Sequence, residues 1–273
     1  MGRVIGILLA LVCLLLSSCG GPLNFTHPNE PRYSGYPLAQ APPPPDSLRV
    51  VSFNIKFAED MKGAIRLIEE HPALRNPDIL LLQEMDVPGV RKIAHALGMH
   101  YVYYPATINP QINRLFGNAI LSRWPIEDDR KIPLPHLGRF GHTQRIAVAG
   151  TIRFGKRALR VYSVHMATGM ESKGSWKRDQ ALAVAHDADT TAVGMDVIIG
   201  GDLNSERVAR TFEKAGYRWM TRGLPSTAGW FSLDHMFLRG LELTRPTARG
   251  VVTDNKGSSD HNPMWMTVSL GRQ

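Results

Sequence analysis

The sequence predicts an α/β fold in which strands outnumber helices, and two sheets packed face to face with helices outside would satisfy it. Short β-branched apolar runs, such as Asp196-Val197-Ile198-Ile199-Gly200, are of the kind buried on both faces of a sheet. Stretches with apolar residues at helical intervals alternate with them. Several apolar runs stop on a polar residue. Periodicity leaves other α/β layerings open.

The chain opens with Met1-Gly2-Arg3 and an apolar stretch from Val4 to Leu16. That stretch falls short of the roughly 20 residues a membrane-spanning helix needs, so residues 1–18 read as an export signal. Leu16-Ser17-Ser18-Cys19 resembles a bacterial lipobox, which implies that Cys19 becomes a lipidated N-terminus at a membrane. The rival readings are a plain signal with an incidental cysteine, or an uncleaved anchor. Gly20 stands where an aspartate would resemble a cue for inner-membrane retention, so an outer-membrane, periplasm-facing destination is expected in a Gram-negative source. Residues 19–47 are crowded with proline, including Pro42-Pro43-Pro44-Pro45, and read as an extended, solvated tether.

Residues 48–273 read as one domain, with no internal repeat and no second linker. Leu48 to Phe57 alternates as a strand carrying Asn54 near its end, and Met61 to Leu74 follows as a helix. Asp78 to Glu84 is a buried strand ending in a carboxylate, and Val90 to Leu97 is a helix closed by Gly98. Strands are expected at Tyr101 to Pro105, Asn118 to Trp124, Arg145 to Phe154 and Leu159 to His165. An alanine-rich helix from Trp176 to Ala192 precedes the Val197-Ile198-Ile199 strand, and Ser205 is a candidate cap for a helix running towards Gly216. Leu233 to Leu238 and Pro263 to Leu270 complete the set.

Both cysteines, Cys13 and Cys19, fall in the N-terminal segment, so neither a disulfide framework nor a thiolate metal site is available to residues 48–273. The formal charge of +8 is scattered rather than gathered in a stripe, which permits an anionic substrate without indicating a nucleic-acid groove. Trp124, Trp219, Trp230 and Trp265 are expected as core or edge anchors, His235 as a neighbour of Asp234, and Arg178 and Gln180 as solvated positions on their helix.

The polar residues at strand ends recur in order: Asn54 after Ser52-Phe53, Glu84 after Gln83, Gly117-Asn118-Ala119-Ile120-Leu121-Ser122, His165 after Ser163-Val164, Gly201-Asp202-Leu203-Asn204, Asp234-His235, and Ser258-Ser259-Asp260-His261-Asn262-Pro263. Each string alone is weak, but together the series, from Arg49 to Val268, resembles the endonuclease/exonuclease/phosphatase superfamily of metal-dependent phosphoesterases. The resemblance implies a four-layered α/β sandwich of two packed mixed sheets flanked by helices.

It also implies roles. Glu84 would hold a divalent ion with Asn54 and Asp260 around it, and an all-oxygen set favours Mg²⁺ or Mn²⁺. Asp202 would orient or deprotonate the attacking water, with Asn204 positioning that water or a phosphate oxygen. His261 would stand beside the scissile phosphate with Asp234 fixing its tautomer, and His165 would contact the phosphate or protonate the leaving oxygen. Asn118 would donate to the phosphate, and Arg145 would supply a supporting or phosphate-binding cation.

The expected activity is therefore hydrolysis of a phosphoester, in first place a phosphodiester, by a membrane-tethered monomer. Nucleic acid, a lipid head group and a small phosphorylated solute remain open as substrates, and no protein partner is inferred. The sequence shows neither a dense basic stripe nor an apolar loop suited to lipid insertion. Reduced spacing between Asn204 and Asp234, without wedge residues, puts recognition of distorted DNA in doubt. The alternative is a surface binding module that keeps the fold with weak or no catalysis.

Overall fold

The computed structural model describes residues 22–35, 42–155 and 157–271. Residues 1–18, expected as an export signal, and Cys19, expected to carry lipid, lie outside the described residues.

One sheet has eight strands: β1 (Tyr33–Gly35), β2 (Ser47–Asn54), β3 (Ile79–Met85), β4 (His100–Asn109), β5 (Arg114–Ser122), β12 (Glu242–Leu243), β13 (Arg249–Val251) and β14 (Met264–Ser269). Their order is β1-β4-β5-β3-β2-β14-β12, with β13 also pairing β14. The other has six, β6 (Ile126–Pro133), β7 (Ile146–Phe154), β8 (Arg157–His165), β9 (Asp196–Asp202), β10 (Arg218–Trp219) and β11 (Asp234–Arg239), in the order β10-β11-β9-β8-β7-β6. Each is mixed, since β2–β3 and β8–β9 are parallel and the other pairs antiparallel. Helices α1 (Met61–Glu70) and α2 (Val87–Leu97) cover the first sheet, and α3 (Trp176–Thr191) and α4 (Glu206–Lys214) the second.

Side chains alternate along a strand, so one run feeds two cores. In β3, Ile79 and Leu81 enter the core between the sheets while Leu80 and Leu82 face α1 and α2. In β9, Ile198 enters the central core while Val197 and Ile199 face α3 and α4. Three apolar cores thus separate four layers, the sandwich the sequence implied.

Boundary differences have local causes. Helix α1 ends at Glu70 because Pro72 disfavours helical backbone at His71, which is extended. Helix α2 starts at Val87 because Asp86 caps it, accepting from Gly89 N at 2.8 Å, and Gly98 closes it in the left-handed region as expected. Ser205 occupies the cap position of α4 without a side-chain capping bond. Strand β6 was not foreseen because its charged run, from Glu127 to Lys131, hides it. It is an edge strand with a bulge between Glu127 and Arg130, where charge is tolerated.

The solvated tether needs correction over residues 22–35. The backbone of Phe25 donates to Ala106 O and that of Ile108 to Leu23 O, and Lys131 N donates to Pro28 O. Tyr33, Ser34 and Gly35 then pair with Tyr103, Val102 and Tyr101. This segment is a strap along the β4 edge, because an open edge offers unpaired backbone groups that an extended chain can satisfy. Further on, Trp124 Nε1 holds Pro42 O at 2.8 Å.

Candidate active site

The site continues the central core at the end where β2, β3, β8 and β9 stop. Asn54 shares its strand face with Val50, His165 with Val161, Asp202 with Ile198, and Asp234 with Met236, all of which pack between the sheets. Alternation alone would send Glu84 to the helix side with Leu80 and Leu82. A register shift between Leu82 and Met85, with Glu84 at φ 59°, moves Met85 into the helix-side core and turns Glu84 towards the site.

Across the second sheet, His165 pairs with Asp202 and Asp202 with Asp234, a row of three neighbouring positions. Asp202 Oδ2 accepts from Asn54 Nδ2 at 3.1 Å and lies 3.5 Å from His165 Nε2 and 3.8 Å from His261 Nε2. Its Oδ1 accepts from the Asn204 backbone at 2.8 Å. His261 Nδ1 and Asp234 Oδ2 are 2.7 Å apart. Burial works against a charged His261 ring, but Asp234 outweighs it and lifts the ring to about 10. Burial, and then the Asp234 charge, push the Asp202 carboxyl up.

Glu84 Oε2 accepts from Phe57 N at 3.2 Å, and Oε1 lies 3.9 Å from His165 Nε2. Burial pushes its carboxyl up against the pull of Arg145. Arg145 Nη1 reaches His165 Nε2 at 2.8 Å, and its Nη2 donates to Glu171 Oε2 at 2.7 Å. Burial, Arg145 and His261 together hold His165 well below its usual value, so the neutral ring suits an acceptor better than a cationic proton donor.

The structure brings Asn54, Glu84, Arg145, His165, Asp202, Asn204, Asp234 and His261 together. Asp260 sits exposed at the rim, within the electrostatic reach of Glu84 and Lys56. Asn118 is buried, but its amide N–H groups go to Ile146 O and Ser163 O, both at 3.1 Å. It ties the sheets together and has no donor left for a phosphate, a correction to its expected role. Asn204 gives its amide N–H to Met166 O at 3.1 Å, so its backbone contact with Asp202 is its direct link to the cluster. His235 is buried between Trp219 Nε1, 3.2 Å away, and Ser232 O, as a neighbour rather than a member of the site.

Gln180 is buried rather than solvated, accepting from Ala167 N and donating to Pro135 O, both at 3.0 Å. Arg178 is exposed as expected. Trp230 is no anchor, being almost wholly exposed. Sequence reasoning missed Glu171, the partner of Arg145, and Lys177, whose Nζ donates to Asn204 O at 2.5 Å. It also missed Gln83 Nε2, which donates to Ser163 Oγ at 3.0 Å and stitches the sheets beneath the site.

Three carboxylates, Glu84, Asp202 and Asp234, share this end of the fold, and among the described residues Glu84 forms no ion pair with a lysine or arginine, its nearest ion-pair neighbour being the neutral His165 ring at 3.9 Å. An oxygen-rich set without sulfur, with carboxyls raised by burial, fits a hard divalent cation. The tightest group of potential metal-binding atoms is Asp202, Asp234 and His261, within 4.8 Å of one another, rather than Glu84, Asn54 and Asp260. Asp234 and His261 already bond each other through Oδ2 and Nδ1.

Comparison with solved structures shows the same fold. An endonuclease/exonuclease/phosphatase family protein from Bacteroides thetaiotaomicron superposes with a TM-score of 0.66 at 17% identity, over 83% of this chain and 98% of that one. TDP2 from D. rerio, complexed with single strand DNA product, gives 0.65 at 15% identity over 83% and 100%. The human Nocturnin catalytic domain with bound sulfate anion gives 0.62 at 20% identity over 87% and 97%. Among curated proteins none matches the sequence. Residues 51–261 match the Endonuclease/Exonuclease/phosphatase family from within β2 to the histidine beside Asp234, and the chain belongs to that family.

Proposed function

We propose that the protein is a divalent-metal-dependent phosphoesterase acting on a phosphodiester. The observation that carries this reading is Asp202, whose Oδ2 is held by Asn54 and lies within 4 Å of two imidazoles, one of them clamped by a second carboxylate. Glu84, helped by Asn54, would hold Mg²⁺ or Mn²⁺, which supplies neutralisation of the phosphoryl charge when bound.

The chain's own groups divide the remaining work. Asp202, a carboxylate made more basic by burial, takes the proton of the attacking water at Oδ2. His261, charged and aimed by Asp234, donates from Nε2 to the phosphoryl oxygens as negative charge grows on them. Arg145, braced by Glu171, fixes His165 against Asp202 and stacks over the Phe116 ring at 5.4 Å. The family match and the likeness to proteins solved with single strand DNA and with sulfate support an anionic phosphorus substrate.

With the export signal and the lipobox-like Leu16-Ser17-Ser18-Cys19, we place the enzyme outside the cytoplasm, anchored through Cys19 and facing the periplasm in a Gram-negative source. The test is turnover of an activated soluble phosphodiester. It should require added Mg²⁺ or Mn²⁺, stop with chelator, and fall by about 10²-fold or more in Asp202→Asn and in His261→Ala. Equal turnover in all three proteins sinks the site assignment, and no turnover by the wild type with metal present favours a binding module.

A further inference from the structure

The strap starts at the site end of the first sheet. Leu23 and Asn24 lie beside Thr107 and Ile108, near the β4–β5 turn. Asn24 Nδ2 donates to His142 O and its Oδ1 accepts from Gln144 N, both at 2.8 Å, so Asn24 is pinned to the loop that leads into Arg145. From there the chain runs away from the site, reaching Gly35 opposite Tyr101. Cys19 precedes Asn24 by five positions, and extended backbone covers at most about 3.6 Å per residue, so that length of chain can span no more than roughly 18 Å.

The same end carries most of the exposed large apolar side chains found among the described residues. Trp230 (96% exposed) and Phe231 (66%) form the tip of the loop before β11. The base of that loop is fixed to the site, because Thr227 O accepts from Asn262 N, next to His261, and Thr227 Oγ1 accepts from Asp234 N. Across the mouth stand Leu137, Phe140 (72%) and Met170 (79%), on two loops joined by the Arg139 N to Glu171 O bond. Leu23 is exposed beside them. The Arg139 guanidinium lies 5.0 Å from the Phe140 ring, a cation beside an apolar tip. Exposed aromatic and aliphatic tips around a polar mouth match a lipid–water interface, where rings sit at head-group depth and cations meet phosphate.

We propose that this rim docks on the bilayer leaflet in which the Cys19 lipid is seated, and that the phosphoester reaching the site is a phospholipid head group. The second clause rests on the hydrolytic reading above; the docking does not. The short reach from Cys19 to Asn24 selects a membrane over a protein partner, since it brings the mouth, and not the helix layers, to the surface.

The test uses the full chain in phosphatidylethanolamine–phosphatidylglycerol vesicles with brominated acyl chains. Bromine should quench part of the tryptophan emission in the wild type, and Trp230→Phe should lose that quenched part. Equal quenching in both, or a Trp230 blue shift that follows protein concentration without lipid, overturns the docking, the latter in favour of a second copy of the chain. The double variant Trp230→Ser, Phe231→Ser should keep turnover of the soluble diester within twofold while releasing head groups from vesicles at least tenfold more slowly. Head-group release by the double variant at the wild-type rate overturns the docking, and none by the wild type overturns the lipid substrate. Failure on the soluble diester overturns the hydrolytic reading and leaves the quenching result standing.

Discussion

Glu84 reaches the site only through a bulge, and Asp202 is basic only because it is buried next to Asp234. Replacing Glu84 by Gln keeps the shape and removes the charge. The expected result is a rise of tenfold or more in the metal concentration that half-activates turnover, with a thermal midpoint in chelator no lower than that of the wild type. Asn118→Ala should act differently, because its amide serves two buried carbonyls between the sheets. We expect a loss of about 1–3 kcal/mol in denaturant unfolding with kcat changed less than about threefold. A large loss of kcat with unchanged stability would restore Asn118 to the phosphate. Most of the cluster was legible because acids, amides and imidazoles interrupt apolar runs at Asn54, Glu84, His165 and Asp202. Glu171 and Lys177 were not, since a loop acid and a helix lysine look like solvated charges until Arg145 and Asn204 are placed beside them.

The strap shows what strand alternation cannot reveal at the scale of an element. Proline content made residues 22–35 look free, yet partners for their backbone lie on β4, far away in sequence. Lys131 records the contact: its backbone N–H binds Pro28 O, its Nζ donates to Pro105 O at 3.2 Å, and its charge lies 5.6 Å from the Phe25 ring. Burial lowers its ammonium from 10.5 to about 8. The unfolded chain therefore binds more protons between these values, and stability should rise as pH climbs from about 8 towards 10.5. Lys131→Met should flatten that rise in urea titrations, and an unchanged slope would count against a buried charge. In β9, a Cβ at Gly201 would stand 2.0 Å from Val164 O, at a φ of 146°. Gly201→Ala should force β8 and β9 apart next to Asp202, costing both thermal stability and turnover.

Over the whole molecule, the layering was readable because long central strands such as β3 and β9 serve two cores. Leu81, fully buried between the sheets, should cost about 2–5 kcal/mol as Leu81→Ala, measured by denaturant unfolding. What the sequence concealed was direction. No periodicity says that residues 22–35 run from mouth to back, or that Trp230 points outward while Trp219 and Trp124 are buried. Those facts depend on which loops share an end of the sandwich, a property of topology rather than of any local pattern.

The row His165, Asp202 and Asp234 sits on adjacent strands, so the hydrogen-bond lattice of the sheet sets the spacing of these groups at about 4.8 Å per step. Adding or deleting one residue inside β8, β9 or β11 would rotate its polar end into the layer beneath α3 and α4 while leaving the apolar content nearly untouched. Length variation in relatives should accordingly collect in the connecting loops, and a one-residue insertion scan should find these three strands intolerant out of proportion to their effect on folding.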